Sequence, residues 1–113
     1  CNLSLAYSEA ITNGQKSKGT IHGGIVAALV DTAAAFALST SFDGRMSFAT
    51  VDMHVNFLHR AQTKVYAHAK VIRKGSRLNV CDVDVMDENG KHVAKATVNF
   101  ILTKPMEGNN LVI

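Results

Sequence analysis

The chain has 113 residues, 47% of them hydrophobic, and its 12 Lys and Arg against 9 Asp and Glu give a net charge of +3. That length suits one domain spanning residues 1–113, with a core limited enough that a partner subunit would help it. The modest charge argues for no nucleic-acid partner, and no apolar run reaches the roughly 20 residues needed to cross a bilayer, so no membrane partner is expected.

Two cysteines, Cys1 and Cys81, lie far apart, and no Cys or His pair has metal-ligand spacing. A reduced, cytoplasmic protein without a metal is the expectation. No signal peptide is visible. The chain opens on Cys1 rather than Met, which reads as a trimmed start.

The elements follow in simple order. "NLSLAYS" alternates apolar and polar residues and predicts a first strand, and "TNGQKSKGT" is a loop by composition. From Gly24 to Leu38 the residues favour a helix and are apolar nearly all round, which predicts burial on most sides. Asp43-Gly44 supplies a turn. "SFATVDMHVNFL" then alternates, with Ala49, Val51, Met53, Val55 and Phe57 on one face and Thr50, Asp52, His54 and Asn56 on the other. "KVYAHAKVI" and "RLNVCDVDVM" repeat the period of two, with Gly75 turning the chain between them. Asn89-Gly90 is a hairpin signal, and "HVAKATVNFILT" closes the set. One buried helix with four or five antiparallel strands predicts an α+β architecture, a sheet wrapped around a helix.

Charge is unevenly spread. Between Asp52 and Asp82 there is no acidic residue, while Arg60, Lys64, Lys70, Arg73, Lys74 and Arg77 fall inside that window. Singly, each reads as a solvated strand residue. Four of the six crowd into "KVIRKGSR" around a glycine, and basic side chains with free amides at a turn suit a phosphate. An RNA backbone would fit too, but the segment lacks interleaved aromatics to stack on bases.

Asp31 interrupts the oily helix, and a carboxylate there costs folding free energy unless something uses it. "HGG" opening a buried helix, Asp nine residues after the His, and an antiparallel sheet behind them resemble the hotdog-fold acyl-coenzyme A thioesterases. The likeness is to their phenylacetic-acid-degradation (PaaI) branch. It runs from about Leu5 to Thr103, most specifically in "HGGIVAALVDTAAAFA", with support from "TVDMHVNF" and "RKGSRL". It implies a thioesterase releasing free acid and CoA from an acyl-CoA or aryl-CoA substrate, with no cofactor beyond the CoA that the substrate carries.

The residues take roles on physical grounds beside that resemblance. Gly23 and Gly24 stand where helix amides lack intrahelical partners and the dipole favours negative charge. A thioester carbonyl becoming an oxyanion needs such a donor; the resemblance places it at Gly23, while Gly24 equally serves a tight turn. Asp31 lies eight residues further, about 12 Å along a helix, so one chain cannot readily apply both to one carbonyl. Antiparallel helices of two subunits can, and the resemblance implies a homodimer with interfacial sites, assembling further as a homotetramer. Asp31 is then base or nucleophile; the alternative is a carboxylate that caps another element.

His22 either binds the carbonyl or holds the loop. The resemblance gives Thr50 a hydroxyl that orients water, and puts Asp52 and Phe57 against the ligand, although Asp52 also reads as a solvated residue. Arg73, Lys74, Gly75, Ser76, Arg77 and Leu78 match its coenzyme A segment. Two departures stand out: Lys16 occupies a position where relatives carry Asn, with Asn13 nearest, and "LHRAQTK" lacks the usual proline and glycine. The second reading is a non-catalytic hotdog module that senses acyl-CoA, against which an intact Asp31 argues.

Overall fold

The computed structural model describes residues 2–8, 11–12, 20–43 and 46–105, the last two by backbone alone. Most of the expected loop, with Asn13 and Lys16, lies outside the described residues, as do Cys1 and Gly44. The order is β1 (Asn2–Leu5), α1 (Gly23–Ser41), β2 (Met46–Phe57), β3 (Val65–Lys74), β4 (Leu78–Asp87) and β5 (His92–Pro105). All pairings are antiparallel, in the sheet order β1-β3-β4-β5-β2. The α+β expectation of one helix on a wrapped sheet holds, with five strands.

Alternation in β3 and β4 decides which face meets the helix. Val65, Ala67 and Ala69 on β3 and Cys81, Val83 and Val85 on β4 are buried, as are Val26, Val30, Ala33, Ala34, Ala37 and Leu38 of α1. Small residues on both sides let helix and sheet approach closely, which suits close packing without voids. Burial pushes the Cys81 thiol up to about 11, so it remains a neutral, inert core side chain. At the far end of the core Phe48 and Phe100 pack edge to face, centroids 5.3 Å apart.

The helix is longer than the sequence pattern suggested, because Ser39, Thr40 and Ser41 extend it. The hydroxyls of Thr40 and Ser41 bond back to Phe36 O and Leu38 O, which lets polar residues finish a helix. At 19 residues it is long and apolar enough to cross a membrane by length and composition, contrary to the expectation that no run reaches that size. Here one side of it lies on the sheet instead. Asp43, in the left-handed region at φ 54°, closes the end with its amide on Thr40 O, a conformation Asp tolerates.

Of several register shifts in the sheet, the one in the middle of β2 bears on the site. Thr50 pairs with Phe100, but the next pair is Asp52 with Asn99, so Val51 is a bulge. One extra residue reverses the phase of everything before it. Thr50 therefore shares the helix-facing side with Met53, Val55 and Phe57, whose partners Val98, Ala96 and Ala94 are buried. Asp52, His54 and Asn56 face away from the helix. The expected placement of Thr50 beside Asp52 is corrected by this bulge.

The β4–β5 turn is a hairpin as expected, with Gly90 at φ 80°. The Asp87 carboxylate accepts the amides of Asn89 and Lys91, each at 2.8 Å. On the outer face Lys95 bridges Asp82 and Asp84 at 2.8 and 3.0 Å. Burial acts to raise the Asp84 pKa, but hydrogen bonding and charge from Lys95, aided by His92, outweigh it and hold the carboxyl below its ordinary range.

Candidate active site

The start of α1 is held from both sides. Ile21 N donates to Ala61 O at 2.7 Å and His22 N to Ile11 O at 2.8 Å, pinning the entry between the N-terminal arm and the β2–β3 connection. His22 caps the helix: its Nδ1 accepts from Gly24 N at 2.9 Å, and its carbonyl accepts from Ile25 N and Val26 N. That geometry requires an unprotonated Nδ1, so the neutral ring carries its proton on Nε2. A Cβ on Gly24 would stand 3.1 Å from His22 Nδ1, so Gly24 makes room for the cap.

Gly23 differs. Its amide has no hydrogen-bond partner among the described residues, whereas those of Gly24, Ile25 and Val26 are all used. A Cβ there would meet only the Phe57 ring, at an ordinary 3.6 Å, so packing does not demand a glycine. The amide borders a cavity of about 360 Å³, lined also by Phe57 at the end of β2 and by Arg60. An unused helix N-terminal donor beside an open cavity is suited to an oxygen carrying negative charge.

Asp31 lies two turns on, half-buried, and Thr50 Oγ1 donates to its Oδ1 at 2.9 Å. The other carboxylate oxygen has no partner among the described residues. The structure thus brings Asp31 and Thr50 together through the β2 bulge, a link the sequence pattern did not contain. With Thr50 holding one oxygen, the carboxylate is oriented and its second oxygen keeps free lone pairs for a proton or a carbon.

The remaining residues divide. Phe57 stacks beside Gly23 at the cavity. Asp52 points to the opposite side of the sheet, and its carboxylate accepts from Asn99 Nδ2; it is not brought to Asp31. The Arg73–Leu78 turn lies at the other end of the helix. There Lys74 Nζ donates to Ser41 O at 2.6 Å and stands 4.3 Å from the Phe42 ring centroid, so this lysine caps the C-terminus of α1. Gly75 N donates to the buried Asn79 side chain at 3.0 Å, and a Cβ on Gly75 would come within 2.5 Å of Leu78 O. Arg73, Ser76, Arg77 and Leu78 are exposed and form the surface of the turn. Arg60, at the cavity, carried no role in the sequence pattern; its only signal was membership of the acid-free window.

No group of three or more His, Cys, Asp or Glu side chains that could hold a metal occurs among the described residues.

An antiparallel five-stranded sheet packed on one helix, with an amide at the helix start that has no partner among the described residues and an oriented carboxylate two turns on, defines a hotdog-fold protein of thioesterase type. The family model for the thioesterase superfamily matches residues 18–94. The chain belongs to that superfamily. It is 35% identical over 86 residues to a Halobacterium salinarum protein that bears the name "putative esterase", covering 74% of this chain but only 57% of that protein's length. The fold matches a thioesterase from Haemophilus influenzae with a TM-score of 0.84 at 21% identity, covering 96% of this chain and 75% of that one. It also matches a Bacillus halodurans protein crystallised with CoA, with a TM-score of 0.82 at 23% identity, over 91% of this chain and 67% of that one.

Proposed function

We propose that the protein is an acyl-CoA thioesterase of the PaaI-like branch, hydrolysing an acyl- or aryl-CoA to free acid and CoA. The observation that carries this reading is the Gly23 amide beside the cavity, without a partner among the described residues, while His22 satisfies its neighbour. In this mechanism the thioester carbonyl oxygen accepts from Gly23 N–H as it gains charge. Asp31, oriented by Thr50, either takes a proton from the attacking water or attacks the carbonyl carbon itself. If water attacked, the C–S bond breaks to give the acid, and the leaving thiolate takes the proton that Asp31 accepted. If Asp31 attacked, C–S cleavage leaves a mixed anhydride on Asp31, which a water then hydrolyses to the acid, its proton going to the thiolate.

Gly23 and Asp31 are about 12 Å apart along one helix, so the two groups act on one carbonyl from opposite subunits of a homodimer, with dimers pairing further into a homotetramer. Three features support such a partner. The row Ala28, Thr32, Phe36 and Thr40 on α1 is exposed, and β2 is an edge strand. That strand carries exposed Val51, Met53 and Phe57, and a long apolar edge left open invites association. The third is the basic turn, which is fastened to Ser41 and so lies about 27 Å from Gly23 of its own chain. In an antiparallel helix pair that sets Gly23 against the partner's Asp31, the partner's Ser41 lies only about 15 Å beyond Gly23. Arg73 and Arg77 of the partner are then the residues that meet the nucleotide phosphates, and the pantetheine arm runs between.

The test is thiol release from a panel of short, long and aromatic CoA esters, with Asp31→Asn alongside. The wild type should turn over at least one ester, and the variant should lose about 100-fold or more in kcat while keeping affinity. Tight binding with no thiol release from any ester would identify an acyl-CoA sensor. Near-normal kcat in the variant would remove Asp31 from the mechanism.

A further inference from the structure

The cavity beside Gly23 has a composition that speaks to the acyl group. Its walls are mainly Ile21, Val26, Phe57, Leu58, Ala61 and Val93. Several nearby backbone groups are already paired: Leu58 N and His59 N both donate to Val93 O, at 2.8 and 3.2 Å, and Ile21 N donates to Ala61 O. A pantetheine arm has amides that need partners and would find few here. An acyl chain needs none. With the carbonyl oxygen on Gly23 N–H, the acyl side of the thioester is the part this cavity suits. A volume of about 360 Å³ is near the lower limit of small-molecule sites, roughly 300–1,000 Å³, and so favours a short acyl group.

One residue with a permanent charge lines this cavity, Arg60, and it is exposed. It has no ion pair or hydrogen bond among the described residues, unlike Lys95 on the outer face or Lys74 at the helix end. A plain alkyl chain filling the cavity would cover part of the hydration of Arg60 and return nothing. A carboxylate at the far end of the chain would return a forked, charge-assisted pair. Resting on the thioesterase reading, the geometry points to Arg60 as a specificity determinant that selects short acyl groups ending in a carboxylate, the half-thioesters of dicarboxylic acids.

The experiment compares hexanoyl-CoA with adipoyl-CoA, equal in chain length and different only in the terminal carboxylate. The wild-type protein should show kcat/KM about tenfold or more higher for adipoyl-CoA, the range for a hydrogen bond to a charged partner. Arg60→Gln should erase that preference and leave hexanoyl-CoA within about twofold of wild type, which also shows the variant is folded; Arg60→Glu should reverse it. No preference in the wild type, or equal losses on both esters in Arg60→Gln, overturns the assignment. If those equal losses vanish with pantetheine thioesters lacking the nucleotide, the guanidinium serves a phosphate, which overturns it as well. Should neither ester be turned over, the wider ester panel decides the thioesterase reading separately, and the ratio of the two affinities by calorimetry still decides the role of Arg60.

Discussion

Replacing Lys74 with Met keeps most of the aliphatic stem and removes the ammonium from the C-terminal end of α1. The loss has three sources, all read from one nitrogen. Its hydrogen bond to Ser41 O, 2.6 Å long, is solvent-exposed and contributes about 1 kcal/mol. The last turn of the helix contains no basic residue of its own, so Lys74 answers the helix dipole there from β3, worth about 0.3–1 kcal/mol. The contact with the Phe42 ring, 4.3 Å from its centroid, adds about 0.5 kcal/mol at an exposed site. These overlap, so Lys74→Met should cost about 1.5 kcal/mol, a fall in Tm of roughly 5–10 °C for a domain of this size. Part of the difference should fade in high salt, as dipole and exposed charge terms are screened. The assay pairs a thermal melt with KM for a CoA thioester. An unchanged Tm together with a several-fold rise in KM would refute the capping argument and return Lys74 to the phosphate site.

Gly75→Ala should be more costly than an ordinary surface change, about 2 kcal/mol or more, since the new Cβ would come within 2.5 Å of a backbone carbonyl. Any shift of the turn also strips the buried Asn79 side chain of a partner, and the urea midpoint measures the loss. Asp84→Asn should lower Tm modestly at neutral pH. The folded pKa of Asp84 lies below its ordinary value, so its contribution is complete above the unfolded carboxylate range and fades as pH falls through the folded pKa. Variant and wild-type melts should therefore begin to converge below about pH 4 and meet once the pH has passed the folded pKa; a gap that stays constant as the pH falls would refute this. In a Cys1→Ser background, Cys81, fully buried and with its pKa pushed up to about 11, should resist maleimide at pH 7 until urea unfolds the chain; prompt labelling of that folded variant would contradict the core assignment.

Much of the site was legible from local pattern. An oily stretch after His22-Gly23-Gly24 marked a helix start with spare amides, and Asp31 was conspicuous because a carboxylate in such company is costly. Strand periodicity placed all five strands within a few residues. What pattern missed came from one-residue events and from contacts across the chain. The bulge at Val51 leaves both halves of β2 alternating, so no count of apolar residues reveals that Thr50 and Asp52 face opposite sides. Gly23 and Gly24 look equivalent as letters. They separate only when the His22 side chain folds back onto one amide and leaves the other without a partner among the described residues. Lys74 reads as one more basic residue of a phosphate turn until the end of α1 arrives beside it.

The sequence by itself determined the helix, the strands and the suspicious carboxylate, because these depend on neighbours within a few positions, where side-chain period and backbone preference act. Tertiary structure alone decided which partner each polar group takes: Asp31 with Thr50, Asp52 with Asn99, Lys74 with Ser41. It also placed Arg60, without an ion pair or hydrogen bond among the described residues, on the wall of the cavity beside Gly23. A hydrogen bond forms over about 3 Å of space, and which residues come that close across 19, 47 or 33 positions of chain is set by how the sheet twists, bulges and closes on its helix.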